Sequence, residues 1–311
     1  MVNGVILDAK DNRLLYKTLG AQGERLYIFD RAQNITTNAS LPANSKVAAA
    51  YLSNFGAVFI AYNVGGASTQ QIYDWNGNDL YPLAQTVEAN SLKVSGEYAI
   101  WSEGVTLVRR NLATLSNSIL TTSGGNWQNS VSSIAAWWST DNQIYVNNGT
   151  TTQATNDTLS NYYVSTDGNN IVYIKSTSCC APSSSHAITL FNGSSEITLR
   201  EAKSVIPTLG SDYQVRDGWV SYTDIGNQNN TQVWSYNPLG QKVQRTFFAV
   251  SSRIDTLGDN GQLMLFSNSK RYLSTEAGPL VEVNSSLGVS YYINDKWYLS
   301  LGGIFFSVNT P

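Results

Sequence analysis

The two cysteines of this 311-residue chain are adjacent, in Ser178-Cys179-Cys180-Ala181-Pro182, and they are its most distinctive reactive groups. Cα atoms joined by a trans peptide stand ~3.8 Å apart, below the ~4.4 to 6.8 Å usual for disulfides. A bridge between Cys179 and Cys180 would therefore close a strained, rigid, apolar eight-membered ring. Such a vicinal disulfide could act as a platform for a sugar face or another flat ligand. Two reduced thiols in a Ser-rich loop are the alternative, and the sequence leaves both open. Two Cys and one His cannot make a four-ligand zinc site without carboxylates. No calcium-loop spacing is present either, so neither metal nor cofactor is expected.

His186 is the sole histidine, and a Ser-His-Asp hydrolase or His-based lyase would have to use it as its base. Its place at a loop–strand junction beside serines suits a surface contact better. Asp11, Asp167, Asp217, Asp259 and Asp295 recur at one offset, which is what turn stabilisation demands. Asp224 could serve a paired-carboxylate glycosidase, but sequence does not supply the separation that mechanism needs. The 8 Trp and 18 Tyr would stack on sugars, yet most fall in apolar strands as core. Trp127, in Gly124-Gly125-Asn126-Trp127-Gln128, is the exception. The candidate ligand contacts are thus Cys179, Cys180, His186, Trp127, Asn126, Asp224, Gln228 and Asn229, and no residue is assigned a catalytic role.

The elements that must position these groups are short strands. From Asn161 to Phe248 the chain gives two successive sets of four, with turns such as Asp167-Gly168-Asn169, Asn192-Gly193, Asp217-Gly218 and Leu239-Gly240. Aligned on the turn between first and second strands, the whole chain offers Asn12, Asn54, Gly96, Ser133, Gly168, Gly218, Gly261 and Asp295. These are 34 to 50 residues apart, near the period of β-propeller blades. Each turn precedes a near-continuous apolar run, such as Val58-Phe59-Ile60-Ala61-Tyr62 or Ile171-Val172-Tyr173, which implies a strand covered on both faces. No helical period is sustained anywhere. The expectation is one all-β domain over 1–311, a β-propeller of four-stranded antiparallel blades, eight in number, with seven the alternative. The last unit, from Leu287, supplies only three strands.

The blocks Asp167-Gly168-Asn169-Asn170-Ile171-Val172-Tyr173 and Asp217-Gly218-Trp219-Val220-Ser221-Tyr222 resemble the blades of TolB-type propellers, without the Ser-Pro that precedes Asp-Gly there. The resemblance implies the fold and transfers no site residue.

In an antiparallel blade, the loop between strands two and three emerges on the same rim as the link to the next blade. These connections are long, as in Ser176 to His186 and Asp224 to Thr231, and long loops on a rigid scaffold collect binding sites. Function is therefore expected at that rim. A charged fraction of 13% is well under the usual ~25%, and a net charge of −3 argues against a nucleic-acid or anionic-membrane partner. No apolar run is long enough to span a bilayer. The N-terminus has no signal-peptide pattern. Composition and Asn-x-Ser/Thr sites, among them Asn34 and Asn148, favour an extracellular or cell-surface chain. The leading expectation is a non-catalytic recognition module for glycan or protein. The alternatives are a polysaccharide-active enzyme (lyase or glycoside hydrolase) and a structural spacer.

Overall fold

The computed structural model describes residues 4–64, 70–85, 87, 91–122, 127–131, 134–178, 183–226, 229–275, 280–283, 288–293, 296–301 and 304–308. Among them the only regular element that is not a strand is a single 3-10 turn, Asp259–Gly261.

The strands form successive antiparallel meanders. The first begins at Val5–Lys10 and the second at Ser45–Leu52, and one parallel bridge, Gly23 to Ser45, fuses the two into an eight-stranded sheet. Four-stranded meanders follow, starting at Lys93–Ser95, Trp127–Val131, Ser160–Thr166, Tyr213–Arg216 and Ser252–Leu257. The last has three strands, Val289–Ile293, Lys296–Leu301 and Ile304–Val308.

Turn chemistry explains the hairpins. Asp217 and Gly218 both have positive φ, 51° and 79°, between the paired residues Arg216 and Trp219. A two-residue hairpin needs that geometry for its strands to keep their natural twist. Glycine reaches it freely and Asp tolerates it.

Burial follows position in the meander. Second strands are covered on both faces: Ala57, Val58, Phe59 and Ile60 are all fully buried, as are Val172, Tyr173 and Ile174. Fourth strands are largely exposed, as in Ser116–Thr121 and Thr151–Gln153. Each sheet therefore packs face to face on its neighbours, with its fourth strand outward. Core clusters join the first meander to the second, the second to the third, and the third to the fourth. Others join the fourth, fifth and sixth, then the sixth to the seventh and the seventh to the last. First strands touch the first strands of adjacent meanders, and Val5–Lys10 also touches Val289–Ile293. Arg31 completes that junction: its Nη1 donates to Tyr298 Oη at 3.0 Å, with the guanidinium 5.4 Å from the ring centre.

Two of the chain's links use one polar latch. Gln143 Nε2 donates to the carbonyls of Asp157 and Leu159, while its Oε1 accepts from Thr155 Oγ1 at 2.8 Å. Gln232 repeats this with the carbonyls of Phe248 and Val250 and with Thr246 Oγ1, again at 2.8 Å. Each Gln satisfies backbone groups of the segment leaving its own meander, which fixes where the next one starts.

Candidate functional site

The first strands converge, and the register explains which side chains they offer. Five of them slip against their second strand, between Ile6 and Asp8, Val47 and Ala49, Trp127 and Asn129, Tyr162 and Ser165, and Ile254 and Thr256. A bulge bends a strand and re-aims the residue beside it. In the first meander that residue is Asp8.

Asp8 lines a cavity of about 490 Å³ together with Lys10 and Asp11, Leu52, Val94 to Gly96, Arg216, Asp259, and Tyr292 with Ile293. These come from the first, second, third, sixth, seventh and last meanders. All lie near the ends of first strands or in the turns that follow. A second cavity of about 640 Å³ shares Ser95, Arg216 and Asp259 with it, and adds Asp167, Val215, Asp217 and Asn260. The two form a polar mouth at the rim of the tight turns, opposite the long connections.

The charges there are of both signs. Asp8 Oδ2 accepts from the Leu52 amide at 2.7 Å and Oδ1 from the Ala9 amide at 2.8 Å. Burial nevertheless raises its pKa, against the lowering effect of those two amides and of Lys10 and Arg13. Burial likewise lowers the pKa of Lys10, with Asp11 and Asp8 opposing; its ammonium donates to Asn54 Oδ1 at 2.7 Å. Burial raises the Tyr51 and Tyr291 phenols, and the Asp8 charge adds to both shifts. Arg216 is held by Asp259 at 2.5 Å and lies 5.3 Å over the Tyr292 ring. The turns are stitched to one another: Asp167 Oδ2 accepts from the Gly218 amide at 2.7 Å, and the Asn54 amide donates to Gly96 O at 2.8 Å. Asp217 is exposed and has no partner among the described residues. A carboxyl and an amine whose pKa values are displaced toward each other, facing one cavity, can hold a charged ligand or exchange protons with it.

Of the eight residues expected at the long-loop rim, four lie among the described residues. Cys179, Cys180, Asn126 and Gln228 lie outside the described residues. Trp127 opens a strand rather than sitting in a loop, paired with Trp137. His186 is not a surface contact: it is fully buried, with its Nδ1 2.5 Å from Tyr162 Oη. An imidazole that finds a phenol partner is accommodated in the core, and the flanking serines hid that. Asp224 and Asn229 share one hairpin, but Asp224 is engaged by Lys203 Nζ at 3.1 Å and by the Ile225 amide at 2.7 Å. Asn229 is exposed, in a turn residue with φ 58°. Among the described residues no group of three or more His, Cys, Asp or Glu could hold a metal ion, and no helix is long and apolar enough to cross a membrane. Sequence reasoning missed Asp8 and Lys10. The available signal was two opposite charges at i and i+2 closing an otherwise apolar first strand, Val5-Ile6-Leu7-Asp8-Ala9-Lys10.

No family model matches the chain and no curated protein matches it. Similar solved structures exist. A dipeptidyl peptidase 4 from Porphyromonas gingivalis superposes with a TM-score of 0.63 at 9% identity, over 94% of this chain and 54% of that one. The Dos1 propeller gives 0.54 at 9% identity, over 96% and 90%. A prolyl endopeptidase gives 0.51 at 12% identity, over 93% and 53%. This chain thus spans about half the length of the two peptidases. The likeness shows the fold alone: an all-β propeller-like chain of antiparallel meanders, as the repeat predicts. It also corrects the expectation of a non-catalytic recognition module. Peptidases are among the structures of this shape, so the architecture on which that expectation rested is carried by enzymes as well.

Proposed function

We propose that the chain is an eight-bladed propeller ring working as part of an enzyme, and that the mouth where its tight turns converge binds a small, charged ligand or substrate. The observation that carries this is the single cavity shared by Asp8 and Lys10, a carboxyl made harder to ionise and an amine made easier to neutralise by the same burial. Its size suits a small molecule, since such sites run from ~300 to 1,000 Å³. Eight blades are supported by the unbroken succession of shared cores and by the contact of the last meander with the first. The peptidases among the similar folds agree with an enzymatic setting.

A thermal-shift screen of small charged molecules, run on the wild type and on Lys10→Met, tests the site. Hits that stabilise the wild type and lose their effect in the variant are expected. Hits that stabilise both alike would place binding elsewhere.

We propose also that the chain works outside the cytoplasm, with Cys179 and Cys180 bridged. Intact mass should then rise by two hydrogens on reduction, and an unchanged mass would exclude the bridge.

A further inference from the structure

Resting on that reading of the axial mouth, we infer that its ligand is a zwitterion of dipeptide size, with its ammonium group on Asp8 and its carboxylate on Lys10. Both side chains have bonding capacity to spare. An ionised carboxylate offers about four acceptor sites, and Asp8 uses two of them on backbone amides. An ammonium has three donors, and one of those of Lys10 goes to Asn54.

Opposite charges in one cavity would ordinarily neutralise each other, but these form no ion pair with one another. The strand holds them apart. Residues at i and i+2 share a face, and the rise between them is about 6.6 Å. An extended peptide advances ~3.3 to 3.6 Å per residue, so the two ends of a dipeptide stand at a matching separation. A ligand that is only an anion would leave Asp8 desolvated and unmatched, and one that is only a cation would do the same to Lys10. Arg216 lines the same cavity, but its charge is matched there by Asp259, which holds it over Tyr292.

Calorimetric titration of the intact chain with glycylglycine, its N-acetyl form, its C-terminal amide and the doubly blocked peptide tests this. Glycylglycine should bind, and blocking either end should weaken binding tenfold or more. Lys10→Met should abolish discrimination against the amide, and Asp8→Asn discrimination against the N-acetyl form, with circular dichroism confirming that each variant folds. Equal binding by all four peptides overturns the zwitterion while leaving the axial site in place. Absence of binding by any of them overturns the zwitterion too. The site itself then stands only if acetate binds the wild type and not Lys10→Met, or methylammonium binds the wild type and not Asp8→Asn.

Discussion

At the scale of single residues, the structure separates charges that stabilise the fold from charges held at its expense. Arg271 and Asp255, 2.7 Å apart with the Arg buried, are of the first kind. Asp8 is of the second. Its carboxyl keeps its proton more tightly in the folded chain than at its ordinary value of 3.8. The contribution of that proton to stability is therefore complete below that value and is lost as pH rises through the higher folded one. Denaturation midpoints measured over a pH series should show Asp8→Asn gaining on the wild type above about pH 4; a difference independent of pH would contradict this. Lys93 makes the same point with the other sign. Burial lowers its pKa, and no neighbouring charge among the described residues opposes the shift. Lys93→Met should raise stability at neutral pH by about 1 kcal/mol, or roughly 2 to 4 °C in the melting temperature. A lower melting temperature would mean that the ammonium has a partner after all.

At the scale of strands and turns, conformation and packing are joined at particular positions. Gly261 has φ 69°, and a Cβ there would stand 2.5 Å from two ring atoms of Trp219. Gly261→Ala combines a strained backbone with overpacking and should cost about 2 to 4 kcal/mol in urea denaturation; a loss under about 1 kcal/mol would show that the Trp219 ring moves freely. The Gln232 latch is comparable. Gln232→Ala strands the carbonyls of Phe248 and Val250 and the Thr246 hydroxyl, with an expected loss of about 2 to 4 kcal/mol. Much of this level was legible beforehand. Asp217-Gly218 announces its own turn, and the apolar run after it can only be a covered strand. The latches were not legible, because Gln232 and Thr246 meet across a fold of the chain that no local pattern records. Trp127 was read as a loop residue from its glycines, whereas pairing with Trp137 draws it into a strand.

At the scale of the molecule, the mouth exists only because distant turns meet. Asp11, Ser95 and Asp217 share it with Arg216 and Asp259, and nothing in the sequence around any of them reveals the others. The period of the turns gave the order of the meanders but not which rim their side chains would enclose. Long connections pointed to the other rim, whereas these two cavities lie at the tight turns. The junction of first and last meanders is the point at which the arrangement can fail. Arg31→Ala removes a hydrogen bond and a cation–π contact and should cost about 1 to 2 kcal/mol. Hydrogen exchange should quicken together in Val5–Lys10 and Val289–Ile293; faster exchange in one strand alone would mean that the two do not support each other. The most direct measurement is the distance between spin labels at Asp11→Cys and Asp217→Cys, with Cys179 and Cys180 replaced by serine. A closed ring places both labels on one mouth and predicts a single short, narrow distribution. A long or broad distribution would show an open row of sheets, with no shared cavity and no axial site.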